Sequence, residues 1–346
     1  MFPLDSPQIP WSNFPACVSR MLGMNIQVVG AGGWGLALAR LLALNGHDVR
    51  LWCREEDNPA ALRDTRQNPA LLPGVSLPES VDVCGYVDPQ VQIAVLAVPS
   101  HAMRAVAASY PLSPATIRVS VAKGIENGTL LRMSQVLEET PGGPIVALSG
   151  PSHAEEVARD LPASVVAAGK DAASCAAVQR ALMSPVFRVY TSPDVVGVEL
   201  GGSLKNVIAI AAGACDGLGL GDNAKAALIT RGLAEIARLG VAMGADPLTF
   251  SGLSGMGDLI VTCASRHSRN RAVGEKIAKG LSLEEVLSSS PMVAEGVRTT
   301  RSARGLSERY GVEMPIAQAV YSVLFEGADV REAVINLMTR EAKAER

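Results

Sequence analysis

The sequence predicts a doubly wound α/β domain followed by an all-α domain. Two observations support this division: β-rich runs alternate with helical stretches from Asn25 to about Ser192, and beyond Asp194 only helical patterns remain. At about 150 residues per domain, the 346 residues of the chain correspond to roughly two domains. Because 48% of the residues are hydrophobic and only 4% are aromatic, we expect an aliphatic core.

Charge and cysteine content exclude several classes of protein. With 31 Lys and Arg against 34 Asp and Glu, the net charge of −3 offers no general field for nucleic acid or an anionic membrane surface. The six cysteines are dispersed, with no C-x-x-C and no histidine at zinc-finger spacing. We therefore expect reduced cysteines that pack in the interior, no metal site and a cytoplasmic protein.

We expect neither a secretory signal nor a membrane span in residues 1–39. Residues 21–39 carry no charge, but five glycines among them favour a strand and a loop over membrane insertion. Residues 1–24 include four prolines and no basic segment before an apolar run, so they are predicted to form an extended tail.

The elements follow in order from this tail. Seven runs are predicted as strands, namely NIQVVG, DVRLW, QIAVLAV, TIRVSVA, IVALSG, ASVVAA and FRVYT, and the helices between them indicate a parallel sheet. The later helical patterns cover residues 196–215, 223–243, 271–288, 298–310 and 313–339. We accordingly divide the chain into the tail, a sheet domain over residues 25–200 and a helical domain over residues 201–340.

A glycine-rich turn joins the first strand to the first helix. The run Gly30-Ala31-Gly32-Gly33-Trp34-Gly35 fits G-x-G-x-x-G. Its glycines permit a tight turn and a close approach to a pyrophosphate, and the helix N-terminus offers unpaired N–H groups. A plain tight turn could produce the same pattern, but the strand before it and the helix after it favour dinucleotide binding. Residues 25–200 are thus predicted to form a Rossmann-type NAD(P)-binding domain.

The end of the second strand bears on the choice of cofactor. NAD enzymes usually carry an acidic residue there, whereas this chain has Cys53-Arg54-Glu55. A guanidinium at Arg54 suits a 2′-phosphate by its charge and its planar donors. The alternative is that Arg54 is a solvated loop charge and that Glu55 binds the ribose hydroxyls. We expect NADP(H) to be favoured, while NAD(H) is also accepted.

Lys205 is the candidate catalytic group. It is the only charge between Glu199 and Asp216, and residues 201–206 are expected to open an apolar helix. Desolvation lowers the pKa of a lysine and suits it to exchange a proton near neutrality; the alternative is a lysine at a helix end that reaches solvent. Asp216 lies about 16 Å along a continuous helix, too far to pair with Lys205.

Two loops supply further polar groups. Asp258 follows a glycine-rich loop and is either the acid that pairs with Lys205 or a helix N-cap. Residues 265–271, SRHSRNR, combine cations with short polar side chains, which suits a phosphate group but also a solvated basic loop.

Polar residues also follow three of the predicted strands. Residues 98–101, Lys123 and residues 150–153 lie at carboxyl ends of parallel strands, the edge where such sheets bind ligands. We expect them to line one cleft, with His101 and His153 in structural rather than catalytic roles.

Taken together, these motifs resemble those of NAD(P)-dependent glycerol-3-phosphate dehydrogenases of the bacterial type. The resemblance runs from about Asn25 to the C-terminus and rests on GAGGWGLALA, AVPSHAMR, AKGIE, LSGPSHAEEV, GVELGGSLKNVIAIAAG, NAKAALITRGLAEIARLG, SGMGDLIVTC, SRHSRNR and VAEGVRTT. It implies a 6-phosphogluconate dehydrogenase-like fold and a cytoplasmic homodimer. The implied reaction is the reversible reduction of dihydroxyacetone phosphate to sn-glycerol 3-phosphate for phospholipid synthesis.

The resemblance also implies the site residues. Lys205 matches the family's proton donor and acceptor. The implied substrate contacts are Lys123, Gly150, Ser152, Lys205, Asp258, Ser268, Arg269 and Asn270. The implied cofactor contacts are Gly33, Trp34, Arg54, Lys123, Ala154, Arg269, Val293 and Glu295, together with Gly30, Gly32 and Gly35 of the turn. Family members commonly carry Ser or Asn where this chain has Gly33, so we expect one hydrogen bond to the pyrophosphate to be lost.

Two other functions stay open. A β-hydroxyacid or 6-phosphogluconate-type dehydrogenase would share both domains and a helix lysine beside an asparagine, but the polar cluster at residues 268–270 favours a phosphate-terminated triose. A catalytically silent NADPH-binding regulatory module would make Lys205 dispensable, although the full set of cleft residues is present.

Overall fold

The described part of the chain forms a sheet domain and then a helical domain. The structure is a computed structural model and describes residues 23–288, 294–342 and 344. Most of the predicted tail, residues 1–22, and the predicted cofactor contact Val293 lie outside the described residues.

Eight strands form one sheet in the order β3-β2-β1-β4-β5-β6-β7-β8. Their bounds are β1 Asn25–Val29, β2 Asp48–Trp52, β3 Val81–Cys84, β4 Ile93–Leu96, β5 Ile117–Ser120, β6 Ile145–Ser149, β7 Ala163–Ala168 and β8 Phe187–Ser192. The helices of this domain are α1 Gly33–Leu44, α2 Pro59–Thr65, α3 Met103–Ser109, α4 Met133–Glu138, α5 Ala154–Val157 and α6 Ala172–Leu182. The first six strands pair in parallel and are mostly buried, as expected for a sheet covered by helices on both faces.

Two features of the sheet differ from the sequence prediction. The prediction omitted β3, whose four residues VDVC are too short to give a clear alternation. β7 pairs antiparallel with β6, and β8 then follows parallel to β7, so the sheet is mixed rather than all parallel. The connection from β6 to β7 contains only the four-residue helix α5, which is too short to serve as a crossover helix for a parallel pair.

The helical domain begins after β8. Its helices are α7 Val195–Leu218, α8 Gly221–Ala242, α9 Asp258–Ala264, α10 Arg269–Ala278, α11 Leu283–Ser288, α12 Glu295–Tyr310, α13 Pro315–Phe325 and α14 Val330–Met338. The single helices predicted for residues 271–288 and 313–339 are each two helices, separated at Gly280 and Gly327, both of which have a positive φ. The predicted domain division at residue 200 stays a prediction and falls within α7.

α7 starts one residue before the predicted helical pattern of residues 196–215. Asp194 caps it by accepting a hydrogen bond from the Gly197 N–H at 2.8 Å, so residues 201–206 lie inside the helix rather than at its start. The helix is long and apolar enough to span a membrane, but 89% of its most apolar window is buried inside the fold. It therefore serves as the core helix of the second domain.

Glycines let the backbones of α7 and α10 come into contact. A Cβ at Gly213 would lie 1.8 Å from the Arg271 carbonyl oxygen, and a Cβ at Gly274 would lie 1.8 Å from the Ile210 carbonyl oxygen. Both positions therefore require glycine at this crossing. The close approach fixes the first residues of α10 beside the middle of α7.

Buried polar contacts join α7 to the sheet domain. The Glu199 carboxylate accepts hydrogen bonds from the Ser134 N–H at 2.7 Å and hydroxyl at 2.6 Å, and it forms an ion pair with Arg132. A Cβ at Gly202 would lie 2.3 Å from the Ser149 hydroxyl oxygen at the end of β6. The turn of α7 that follows, which carries Lys205, is therefore held against the carboxyl edge of the sheet.

We expect Gly213→Ala to destabilise the protein although alanine favours helices. The new methyl group meets rigid backbone of α10, and such overpacking costs about 1–3 kcal/mol in the free energy of unfolding. The matched control is Gly305→Ala in α12, where the methyl group would meet only the movable end of the Leu130 side chain at 2.9 Å. Urea unfolding should show a loss for Gly213→Ala and little change for Gly305→Ala; equal effects would contradict the packing argument.

Candidate active site

A buried carboxylate joins two lysines from the two domains. Asp258, the first residue of α9, is 1% exposed. One of its oxygens accepts a hydrogen bond from Lys205 Nζ of α7, and the other accepts from Lys123 Nζ, just after β5, at 2.8 Å. Lys205 Nζ also donates to the Thr262 hydroxyl at 2.8 Å. Asp258 is therefore the predicted partner of Lys205 and not an N-cap.

Burial and charge act in opposite directions on this cluster. Burial lowers the pKa of Lys205 to about 7; the Asp258 carboxylate raises it and the Lys123 charge lowers it. Burial alone would raise the pKa of Asp258, but Lys123 and Lys205 together hold it below its usual value. At neutral pH the carboxylate is thus ionised, while Lys205 is poised between its two protonation states.

A chain of amide hydrogen bonds links Lys123 to α10 and α12. The Asn206 side chain donates to the Lys123 carbonyl oxygen at 3.1 Å and accepts from the Asn270 amide at 2.9 Å. Asn270 in turn accepts from the Gly296 N–H at 2.9 Å. Both asparagines are buried. The network fixes Asn270 against Asn206, the residue that follows Lys205 in α7.

The predicted substrate contacts from the two domains converge here. Gly150 has φ +142°, and its carbonyl oxygen accepts from Lys123 Nζ at 2.8 Å and from the Ser152 hydroxyl at 2.9 Å. Ser268 caps α10 by accepting from the Arg271 N–H at 3.2 Å, and Arg269 is the first residue of that helix. Ser268 is buried, and Arg269 is exposed.

The glycine-rich turn has the shape that a dinucleotide requires. Gly30 has φ +114°, and a Cβ at Gly35 would lie 1.9 Å from the Gly30 carbonyl oxygen, so the turn is tight and the helix lies close to the strand. By contrast, a Cβ at Gly32 would meet nothing within 4 Å. The N-terminus of α1 has no side-chain cap and no acidic residue in its first turn. The open side of the turn therefore presents free N–H groups to an anion.

The other predicted cofactor contacts lie around this turn or across the cleft. Ala154, at the start of α5, has its Cβ 3.8 Å from where a Cβ of Gly33 would lie. Trp34 packs against the sheet domain core, with its ring 6.5 Å from that of Phe187. Glu295, at the start of α12, accepts hydrogen bonds from the Ser100 N–H at 3.0 Å and hydroxyl at 2.6 Å. The helical domain thus reaches the loop after β4.

Arg54 is engaged by an acidic neighbour. Its Nε and Nη2 each donate to one oxygen of the Asp57 carboxylate at 2.8 Å. The sequence predicts either a phosphate ligand or a solvated loop charge at Arg54 and gives no indication of the pairing with Asp57. The pairing is visible only once the turn Glu55–Asp57 is formed.

Several site residues escaped the sequence analysis as functional groups. Asn206 and Thr262 each hold a predicted site residue in place by a hydrogen bond, as does Ser100 of the predicted cleft residues 98–101. Polar residues inside apolar helices, such as Asn206 and Thr262, were the available signal. Arg271 of the basic segment pairs with Asp216 at 2.6 Å and so is directed away from the cluster.

Burial dominates the surroundings of the described cysteines and of His153. Among the described cysteines, which exclude Cys17, all five are buried and free of disulfides, and burial raises the pKa of Cys263 to about 12. Within the described residues, no group of three His, Cys, Asp or Glu side chains could hold a metal ion. Burial lowers the pKa of His153, as do Lys205 and Lys123, so this histidine is neutral at pH 7.

Comparison with known proteins decides the family. Models of the NAD-dependent glycerol-3-phosphate dehydrogenase N-terminus and C-terminus match residues 25–175 and 194–335. This chain belongs to the NAD-dependent glycerol-3-phosphate dehydrogenase family. The family resemblance, the fold class and the assignment as an oxidoreductase made from the sequence are confirmed.

Individual family members agree over nearly the whole chain. Glycerol-3-phosphate dehydrogenase [NAD(P)+] of Chlorobium luteolum is 51% identical over 332 residues, covering 93% of this chain and all of that protein. The Desulfitobacterium hafniense enzyme of the same name is 54% identical over 325 residues, covering 92% of each chain. The crystal structure of the Coxiella burnetii glycerol-3-phosphate dehydrogenase superposes with a TM-score of 0.87 at 36% identity, covering 92% of this chain and 99% of that one.

We expect Asp258→Asn to lower the free energy of unfolding by about 3 kcal/mol, because it leaves two lysines without their buried counter-charge. The pKa of Lys205 should also fall below about 7, since the carboxylate raises it. Urea unfolding and NMR titration of the lysine Cε signals measure these effects.

Asp216→Asn is the matched control. Asp216 also bridges two cations, Lys225 and Arg271, but its side chain is 24% exposed, so we expect a loss of about 1 kcal/mol or less. A comparable loss in the free energy of unfolding for the two variants would show that burial does not account for the contribution of Asp258 to stability.

Proposed function

We propose that this protein catalyses the reversible NAD(P)H-dependent reduction of dihydroxyacetone phosphate to sn-glycerol 3-phosphate. The observation that carries this proposal is the buried Lys205, hydrogen-bonded to Asp258, with its pKa lowered to about 7. Membership of the family supports the reaction, and the geometry supports the assignment of roles to individual residues.

Lys205 is proposed as the proton donor and acceptor. The bound nicotinamide supplies or accepts the hydride. Negative charge then develops on the substrate oxygen, and a neighbouring cationic acid both stabilises that charge and protonates the oxygen. In the oxidative direction Lys205 must be neutral to accept the hydroxyl proton. A lysine whose pKa lies near 7 serves both directions.

Asp258 and Lys123 set the properties of that lysine. The carboxylate holds Lys205 Nζ in one position, aided by the Thr262 hydroxyl, so little reorganisation is needed when the proton moves. Lys123, 20% exposed, lies at the open side of the cluster and is proposed to contact both substrate and cofactor. Gly150 and Ser152 complete this wall of the proposed substrate site.

The phosphate of the substrate is proposed to bind at the start of α10. Ser268, Arg269 and Asn270 combine a helix N-terminus with a guanidinium and two short polar side chains. Because this end of the substrate does not react, its binding energy is available to orient the ketone. A carboxylate substrate would not need this cluster, which argues against a β-hydroxyacid dehydrogenase.

The cofactor is proposed to bind along the carboxyl edge of β1 and β2. Gly30, Gly32, Gly33 and Gly35 lie beside the pyrophosphate, with Trp34, Ala154, Arg269 and Glu295 around it; Val293 is proposed by family resemblance alone. Arg54 at the end of β2 supports a preference for NADP(H) with NAD(H) accepted. No step of this reaction requires a metal.

Three broader expectations remain proposals based on the family resemblance: a cytoplasmic location, a homodimer and a supply of glycerol 3-phosphate to phospholipid synthesis. Light scattering on the purified protein tests the dimer.

The activity itself is tested by the loss of nicotinamide absorbance when dihydroxyacetone phosphate is added with NADPH and, separately, with NADH. No loss with either cofactor would disprove the proposed reaction.

Lys205→Ala should reduce kcat about 100-fold or more, the usual scale for removing a general acid. Lys225→Ala is the matched control, because Lys225 also pairs with an aspartate, Asp216, but outside the cleft. Steady-state kinetics should show near-normal kcat for the control. Near-normal turnover of Lys205→Ala would instead disprove its role as the proton donor and acceptor.

The rates of reduction and of oxidation should depend on pH in opposite ways. Reduction needs protonated Lys205, so its rate should fall above pH about 7, whereas oxidation needs neutral Lys205 and should slow below that value. Both rates are measured under single-turnover conditions. Identical pH profiles for reduction and oxidation would exclude Lys205 as the titrating group.

The same shift in pKa affects stability. Between pH about 7 and 10.5 the unfolded chain binds a proton at Lys205 that the native state does not, so this group makes the free energy of unfolding rise with pH.

A further inference from the structure

The loop after β2 combines one cation with three acids. Arg54 is followed by Glu55, Glu56 and Asp57, so these four residues carry a formal charge of −2, from one positive and three negative side chains. A phosphate monoester carries a charge of about −1.5 to −2 at neutral pH. The loop as a whole therefore repels a 2′-phosphate, and attraction depends on Arg54 alone.

The donors of Arg54 that suit a phosphate are already occupied. Arg54 Nε and Nη2 form two parallel hydrogen bonds at 2.8 Å to the Asp57 carboxylate, the same fork that would bind two phosphate oxygens. A phosphate at this position must displace Asp57 or share the guanidinium with it.

The backbone holds Asp57 in this position. Its N–H donates to the Arg54 carbonyl oxygen at 3.1 Å, closing the turn Glu55–Asp57. The next residue, Asn58, caps α2 by accepting from the Ala61 N–H at 3.1 Å. The carboxylate is thus fixed opposite the guanidinium by the turn on one side and by the helix start on the other.

We propose that Asp57 is a specificity-determining residue: it competes with the 2′-phosphate of NADP(H) for Arg54 and so keeps the cofactor site open to NAD(H). This inference rests on the proposed dehydrogenase function. Without a 2′-phosphate, the Arg54 and Asp57 pair remains intact, and NAD(H) binding does not disturb it. A 2′-phosphate must break this pair in order to bind Arg54, and this requirement reduces the net gain in binding free energy.

The size of the effect follows from exposure. The Arg54 and Asp57 side chains are 61% and 38% exposed, and exposed ion pairs contribute modestly. Releasing Arg54 from Asp57 should therefore raise affinity for a 2′-phosphate ligand two- to five-fold. It should leave affinity for the corresponding ligand without that phosphate unchanged.

Asp57→Asn is the test variant, and Glu56→Gln is its matched control. Both remove one negative charge from the same turn, but among the described residues Glu56 forms no side-chain hydrogen bond with Arg54. Calorimetric titration of the full chain with adenosine 2′,5′-bisphosphate and with AMP measures the contribution of the 2′-phosphate without any turnover. The kcat/KM ratio for NADPH over NADH provides the second measurement.

The expected result is a two- to five-fold higher ratio of bisphosphate to AMP affinity in Asp57→Asn, no more than a slight increase in Glu56→Gln, and a reduced ratio in Arg54→Ala. An unchanged ratio in Asp57→Asn, or an equal rise in both charge variants, would overturn the role of Asp57. Unchanged ratios in Arg54→Ala would overturn it as well, because Arg54 would then not bind the phosphate. If the wild-type chain bound AMP but did not reduce dihydroxyacetone phosphate, the proposed reaction would fail while the titration still decided the role of Asp57.

Discussion

The active-site geometry depends on one buried carboxylate between two lysines. A carboxylate that is 1% exposed is stable only when its charge is compensated and its oxygens are hydrogen-bonded. Asp258 obtains one lysine from the strand edge of the sheet domain and the other from the core helix of the helical domain. The carboxylate compensates the charge of the lysines, and the lysines compensate the charge of the carboxylate. This cluster therefore couples the positions of β5, α7 and α9.

The same electrostatic balance produces the chemistry. Burial disfavours a charged lysine, and a neighbouring positive charge disfavours it further, while the carboxylate favours it. The net result is a lysine whose proton is lost or gained near neutral pH. The structural requirement for a counter-charge and the chemical requirement for a reversible proton donor are thus met by one residue pair, and Thr262 restricts the lysine geometrically.

Small residues provide the close contacts that place this pair. Gly202 lets α7 lie against the end of β6, and Gly213 and Gly274 let α10 cross α7 with backbone contact. The proposed phosphate-binding residues at the start of α10 are consequently held at a fixed distance from Lys205. Asn206 and Asn270 then add a hydrogen-bonded link that runs from the sheet edge to α12. Rigid helices, rather than loops, therefore set the separation between the proposed reacting carbon and the phosphate.

Much of the architecture follows from local sequence. The alternation of strands and helices, the glycine-rich turn and the change to helices after Asp194 depend on patterns within a few residues, and the structure bears them out. The direction of β7 did not follow from such patterns, nor did the position of residues 201–206 inside α7 rather than at its start. Strand direction depends on how much helix fits into the preceding connection, and the helix start depends on a capping contact of Asp194.

The sequence by itself determined which residue types are present for the chemistry: a lysine in an apolar helix, an acid in a glycine-rich loop and a basic segment with short polar side chains. Only the tertiary structure decided which of them meet. It placed Asp258 between Lys205 and Lys123 and directed Arg271 to Asp216. Ion pairing depends on distances of a few ångströms between residues up to 135 positions apart, and those distances exist only after the helices and strands have packed.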